Sequence, residues 1–540
     1  MRGARCRGIG CIAGTHQISI PCCKGSMARN VAWCIAGIVC IVQLWAQPQP
    51  APQRKNDSLR HREATAVVRS PIRELQADLD ALLKNRELAA AHIGICILST
   101  ETGEYLFRFN DGKAFVPASL LKLFTTAAAL ELLGPDFRFT TRVYLDGRIR
   151  QGGDFEGNII IRGSGDPTWS ESFGTPFDSV FAVWIRALDS LGITTIKGNI
   201  IADDSYFDAV RYGPGWMWDD FVMPYSPPVS ALAANDNCVQ LLIRPGADVG
   251  DPATVSVLNG NGMIKIVNDV RTTAIDHTPE LIPYRDFGSS TIELHGTIPL
   301  PTNTSEGGLN LSVPVENPAA YVAALFRDAL DRHRIRVRGS VMTATDWGEP
   351  ILYSRLPVLA EYTSIPLRQI LTVMNRTSHN LCAEMLLKTI AKENSGSGSF
   401  AAGTEYVSSV LQRNGLPSEE LSMSDGSGLS RLNLCTPSLV ARLLWHLWRS
   451  RFRNDVLSSL PRPGEPGTLR TRMIGTLAER SVAAKTGTLN NVSNLAGYVT
   501  TRDGEVLSVV IMTNHLLVPE SVARNLQDLI CMRLASLTRR

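Results

Sequence analysis

Paired cysteines are missing where a disulfide framework would need them. Six of the eleven (Cys6, Cys11, Cys22, Cys23, Cys34 and Cys40) crowd the first 40 residues, while Cys96, Cys238, Cys382, Cys435 and Cys531 are scattered and odd in number. With no Cys-x-x-Cys there is no zinc site either, and the five later cysteines read as small core residues. His-Glu-x-x-His is absent and the nine histidines do not cluster, so neither a metal nor another cofactor is expected. An excess of one charge is also lacking. The 54 basic and 51 acidic groups leave a net charge of +3 and no basic run in the body of the chain, which argues against nucleic acid as a partner. No internal repeat occurs.

What is present describes a globular, multidomain chain. At 540 residues, 44% hydrophobic and 19% charged, it holds enough apolar material for a large core and two to four domains. Near the start, Arg29 precedes an uncharged run from Val31 to Trp45, then Ala46 and the Pro-rich 47–53. That order fits a secretory signal cleaved near Ala46, with Met27 a candidate true start and an uncleaved anchor the alternative. An exported protein of the periplasm or cell envelope is expected.

Periodicity gives the coarse element order. A helix is expected over 60–87, and a hairpin from Ile93–Ser99 and Tyr105–Asn110 around Glu101-Thr102-Gly103. Pro117 to Gly134 reads as one nearly all-buried helix. Strands follow at 137–145, 157–163 and 198–202, with a helix at 181–191 before the last. More short strands lie in 253–267 and 289–313, and a helix in 318–333. Helical character returns from Thr363, with helices at 365–374 and 381–392. The chain closes on two antiparallel strands, 494–501 and 505–514.

Three short motifs carry chemistry. Ser119 and Lys122 sit three residues apart at the start of the 117–134 helix, so they share one side of its first turn. A serine needs a base to become a nucleophile, and a desolvated lysine can be that base. Alone, Ser-x-x-Lys is ordinary surface composition. It is followed, however, by Ser378-His379-Asn380 between two apolar helices and by Lys485-Thr486-Gly487, the chain's single Lys-Thr-Gly.

Three motifs in this order resemble the signature shared by penicillin-binding proteins and class A β-lactamases. The wider likeness is to the class C low-molecular-mass penicillin-binding proteins, the D-alanyl-D-alanine carboxypeptidase/endopeptidase family. It extends to Gly163-Ser164-Gly165-Asp166-Pro167, to 198–207, to 424–431 and to the 255 residues that separate the first two motifs, and it covers the chain from Leu75 to Met532. The resemblance implies an α/β (α+β) fold. In it a β-lactamase/DD-peptidase-like catalytic domain, an antiparallel sheet flanked by helices, is interrupted by large β-rich inserted domains. The division expected is a signal peptide at 1–46, a linker at 47–60, catalytic segments 61–135 and 356–540, and an insertion at 136–355 with a nested β-rich subdomain around 246–315.

The same resemblance implies a serine-type D-Ala-D-Ala carboxypeptidase or endopeptidase acting on peptidoglycan stem peptides, with β-lactams as covalent inhibitors. Ser119 would be the acylated nucleophile and Lys122 its base. A free lysine titrates near ~10.4, so the site must lower Lys122 by roughly two to three units, about 3–4 kcal/mol. Ser378 would relay a proton, Asn380 would bond the substrate amide and Lys122, and Lys485 with Thr486 would hold the terminal carboxylate. Gly487 would let the substrate lie against the sheet edge, and the N–H groups of Ser119 and Thr488 would form an oxyanion hole. Ser427, Leu429 and, in the insertion, Asp203 would contact substrate; His379 would have a backbone or packing role. The alternatives are a β-lactamase and a non-catalytic penicillin sensor or wall-binding protein.

Overall fold

The computed structural model describes residues 70–260, 262–301 and 308–539. The expected signal segment, its cleavage site and the Pro-rich linker lie outside the described residues. The first described helix is Pro71–Leu82, opened by its proline and burying Leu75 and Leu79.

Two distant parts of the chain build the central sheet. Its order is Val482–Leu489, Val492–Thr500, Val506–Asn514, His92–Ser99, Tyr105–Phe109, and every neighbouring pair is antiparallel. The pairing of 92–99 with 506–514 closes the domain across more than 400 residues of chain. These strands are buried on both faces, which explains their near-continuous apolar sequences. One face packs on Glu520–Ala535 and Pro71–Leu82. The other packs on Pro437–Arg449, and beyond it lies the helical layer of Lys122–Leu132, Leu367–Thr377, Asn380–Ser395 and Phe400–Arg413.

In the helix Lys122–Leu132 only the last two residues escape full burial. Leu123, Phe124 and Leu130 are fully covered, and burial of each stabilises the fold by about 1.5–3 kcal/mol. This central helix is therefore a stiff mount for what its N-terminus carries.

The insertion has its own core around Trp169, Phe181, Trp184 and Phe326. A seven-stranded sheet contains Thr140–Ile149, Asp154–Arg162 and Ile200–Asp203. The returning strand Val358–Thr363 pairs antiparallel with Thr140–Ile149. It therefore belongs with the inserted sheet, and the chain re-enters the catalytic layer a few residues later than 356. Two three-stranded sheets complete the region, one of Leu309–Pro314, Cys238–Arg244 and Thr254–Val257, the other of Glu280–Tyr284, Thr291–Pro299 and Lys265–Thr273. The five cysteines from Cys96 onward are buried and free. No described helix is long and apolar enough to cross a membrane.

Candidate active site

Ser119 sits on a 3-10 turn, Ala118–Leu121, and the α-helix begins only at Lys122. A single helix from Pro117 is thus not what forms, and the reason lies in the sheet. Asn494, buried in the strand next to the edge, Val492–Thr500, donates from Nδ2 to the carbonyls of Val116 (3.0 Å) and Pro117 (2.9 Å), and Asn514 Oδ1 accepts from Val116 N–H (2.7 Å). With the entering chain pinned there, Ala118 is held at φ +49°, a left-handed conformation that costs a non-glycine residue roughly 1–2 kcal/mol. In a 3-10 turn residues three apart eclipse one another. Lys122 Nζ accordingly lies 2.9 Å from Ser119 Oγ.

The lysine is fully buried and reaches two further groups, Asn380 Oδ1 at 2.7 Å and the Ser427 carbonyl at 2.8 Å. Burial pushes its pKa down to about 8, against the opposing pull of the Glu384 and Asp425 charges. Ser378 and Asn380 lie at the junction of Leu367–Thr377 and Asn380–Ser395. Ser378 is the left-handed residue that ends the first helix, at φ +62°, and this turns its hydroxyl toward Lys485, whose Nζ lies 2.9 Å away. Lys485 projects from the edge strand Val482–Leu489 and is fully buried, so desolvation first, and the neighbouring Lys122 charge second, hold its pKa well below the ordinary lysine value. His379 caps the following helix through Nδ1, which accepts from Cys382 N–H at 3.3 Å, and places Nε2 3.1 Å from Asp236.

A cavity of about 300 Å³ opens over this cluster, its wall including Ser119, Ser378, Asn380, Leu429 and Thr488. All three motifs, separated by 255 and 104 residues of chain, therefore meet at one cleft. Four of the expected substrate contacts are engaged by other parts of the chain in this structure. Thr486 turns its hydroxyl to Thr468 Oγ1 (2.9 Å) and lines an adjoining hollow with Arg472 and Arg524. Gly487 is needed, but by the nucleophile's own turn: a Cβ there would stand 2.6 Å from the Pro117 carbonyl oxygen. Ser427 is fully buried and offers Lys122 its carbonyl, with its hydroxyl taken up by Leu429 N–H. Asp203, at the end of an inserted strand, accepts from Tyr353 Oη and Ser205 N–H and does not line the cavity.

Other residues outside the three motifs also shape the site. Glu384 is buried one helical turn beyond Asn380, and its carboxylate accepts from Gly426 N–H (2.6 Å) and Ser427 N–H (2.8 Å). Asp425, also buried, accepts from Gly428 N–H, Ser430 N–H, Asn433 Nδ2 and Trp216 Nε1. Two carboxylates thus fix the 424–431 loop and aim the Ser427 carbonyl at Lys122. Asp219, Asp220, Tyr225 and Arg431 also line the cavity; Tyr225 donates its hydroxyl to Asp220 (2.6 Å) and its carbonyl accepts from Asn380 Nδ2 (2.8 Å).

Known proteins share this sequence and architecture. A D-alanyl-D-alanine carboxypeptidase of Actinomadura sp. (strain R39) is 34% identical over 473 residues, covering 86% of this chain and 84% of that protein. A D-alanyl-D-alanine carboxypeptidase of Haemophilus influenzae is 27% identical over 428 residues, covering 78% of this chain and 85% of that protein. The crystal structure of penicillin binding protein 4 from Haemophilus influenzae superposes with a TM-score of 0.74 at 25% identity, covering 85% of this chain and 99% of that one. The sequence pattern of the D-Ala-D-Ala carboxypeptidase 3 (S13) family matches residues 75–537, and the chain belongs to that family of serine DD-peptidases.

Proposed function

We propose that Ser119, Lys122, Ser378, Asn380 and Lys485 carry the D-Ala-D-Ala carboxypeptidase reaction, on peptidoglycan stem peptides, through an acyl-enzyme on Ser119. The observation that supports this most directly is the position of Lys122 Nζ, in reach of Ser119 Oγ, Asn380 Oδ1 and the Ser427 carbonyl at once. Neutral, the amine accepts the Ser119 proton as Oγ attacks the penultimate D-alanine carbonyl. The N–H groups of Ser119 and Thr488 receive the oxyanion, a contribution of roughly 3–4 kcal/mol per donor in comparable sites. The C–N bond then breaks, and the departing amine takes its proton through Ser378 from Lys485 or Lys122. Water hydrolyses the ester in the second half-reaction and restores the serine.

Two adjacent buried amines cannot both be charged without a counter-ion. The terminal carboxylate of the substrate supplies one: with it bound, Lys485 takes the charge and Lys122 stays neutral as the base. Thr488, on the cavity wall, replaces Thr486 as the hydroxyl that bonds this carboxylate. Asp219 and Asp220, on the cavity wall, replace Asp203 as acceptors for a cationic group on the stem. β-Lactams would enter as mimics of the same terminal dipeptide, and action in the cell envelope follows from the substrate. The test is incubation with a fluorescent penicillin and then with a peptide ending in D-Ala-D-Ala. Labelling at Ser119 with release of D-alanine supports the reading; labelling without release would make the protein a sensor.

A further inference from the structure

A second cavity, of about 510 Å³, lies in the insertion and has no part in the chemistry just described. Its distinguishing feature is aromatic. Phe287 is 71% exposed, far more than a phenylalanine without a partner is normally left. Its ring packs at a tilt against Tyr212 (5.7 Å between centroids, 52° between planes) and Phe221 (5.4 Å, 50°), which themselves pack at 4.5 Å. The three rings form a supported platform with one face open to solvent.

The polar groups around the platform are of both signs, and Arg211 and Asp346 form no ion pair with each other. Arg211 donates one N–H to the Glu316 carbonyl (3.0 Å), and no carboxylate among the described residues lies within ion-pair distance of it. Asp346 lines the cavity and accepts from Thr343 N–H and Oγ1 through Oδ2, and no hydrogen bond to Oδ1 occurs among the described residues. The hydrogen bonds of Thr343, and more weakly the charge of Arg211, keep the Asp346 carboxyl ionised, so the two side chains sense each other across the opening without closing it. Glu316 supplies a further acceptor, already oriented by Tyr212 Oη (3.2 Å) and paired with the buried Arg285 guanidinium at 3.8 Å.

An anion would meet Asp346 and Glu316; a cation would meet Arg211. A neutral ligand edged with hydroxyl and amide groups, and with one flat C–H face, satisfies both signs and the aromatic ring together. A pyranose sugar with an N-acetyl group has that chemistry. Proximity gives the second argument. The segment 211–225 borders both cavities: Arg211 and Tyr212 line the aromatic one, and Met217, Asp219, Asp220 and Tyr225 line the catalytic one. Tyr212 and Asp220 stand eight residues apart, so at most ~28 Å of chain joins the two cavity walls.

We infer that the Phe287–Tyr212–Arg211–Asp346 cavity is a subsite for the N-acetylated amino sugars of the glycan strand to which the stem peptide is attached. It acts by raising the local concentration of the linked peptide at Ser119. The inference rests on the peptidoglycan reading above, so its test must separate the two.

The full chain, Phe287→Ala and Asp346→Asn are compared on two substrates, a free pentapeptide ending in D-Ala-D-Ala and the same pentapeptide carrying its N-acetylglucosaminyl-N-acetylmuramyl disaccharide. For the wild type the disaccharide lowers KM about tenfold with kcat unchanged. Phe287→Ala raises KM for the sugar-linked substrate to near the free-peptide value and leaves the free peptide within about twofold, as expected for one aromatic contact. Equal KM values for the two substrates in the wild type, or an equal effect of Phe287→Ala on both, overturns the subsite. Binding of N-acetylglucosamine trimer to Ser119→Ala, read by tryptophan fluorescence, gives an answer that needs no turnover. Saturable binding lost in Phe287→Ala supports the subsite even if neither peptide is cleaved, and no binding refutes it even if both are.

Discussion

Replacing Gly428 by alanine tests whether the 424–431 loop holds the nucleophile in place. Gly428 is at φ +88°, and a Cβ built there stands 1.9 Å from the carbonyl oxygen of Ala118, the residue before Ser119. Real Cβ atoms do not approach closer than 3.0 Å, so the loop and the nucleophile turn must part by about 1.1 Å. Neither side yields easily. The loop is tied to Glu384 and Asp425, and the turn is tied to Asn494 and Asn514. A misplacement of about 1 Å at a reacting group costs on the order of 10²-fold in rate, or ~2.7 kcal/mol. The positive φ adds roughly 1–2 kcal/mol of destabilisation on its own.

Gly504 is the control, because it has the same φ of +88° with nothing within 4 Å of its Cβ. Gly504→Ala carries the conformational cost without the clash. The assay is the second-order rate of acylation by a fluorescent penicillin, with thermal melts run beside it. Gly428→Ala should acylate about 100-fold more slowly, and Gly504→Ala at nearly the wild-type rate with a lowered Tm. A Gly428→Ala protein that acylates within about threefold of wild type would refute the reasoning.

The remaining predictions concern the groups around Lys122. Acylation should rise with pH through about 8, because the base is the neutral amine and burial has brought its pKa down to there; stopped-flow penicillin binding between pH 6 and 10 measures it. Lys122→Arg, always protonated, should lose about 10²–10⁴-fold of acylation at every pH in that range. Glu384→Gln puts an amide N–H against one of the two backbone donors of Gly426 and Ser427, and should lower stability by about 1–3 kcal/mol in denaturant titration and slow acylation without changing KM. Asp220→Asn should raise KM about tenfold for stems bearing a free side-chain amine and leave neutral, N-acetylated stems unaffected.

Several of these residues were open to a sequence reader, and several were not, for a physical reason. Ser119, Lys122, Ser378, Asn380 and Lys485 each belong to a short motif in which reactive groups are neighbours in the chain, so local spacing registers them. The hairpin, the two C-terminal strands and the buried helix after Lys122 were legible from periodicity in the same way. Glu384, Asp425 and Asn494 act through partners 42 residues or more away or through backbone groups, and a single carboxylate or amide in an apolar run has no periodic signature. Asp219 and Asp220 sit on a short 3-10 turn, Trp218–Asp220, that borders the cleft only because the insertion folds back onto it. Gly487 could be read as a point of close approach, but not that the approaching chain is Pro117. Thr486 and Thr488 look equivalent in sequence, and only the strand's seat against the nucleophile turn decides which of them lines the Ser119 cavity.

One experiment bears directly on whether the three motifs act as a single acylating site. The purified chain is treated with benzylpenicillin, digested, and the modified peptide is sequenced by mass spectrometry, with Ser119→Ala and Lys122→Arg treated alongside. One penicilloyl group per chain on Ser119, none on the alanine variant and a strongly slowed adduct on the arginine variant is the predicted result. An adduct on any other residue, or undiminished labelling of Ser119→Ala, would contradict it.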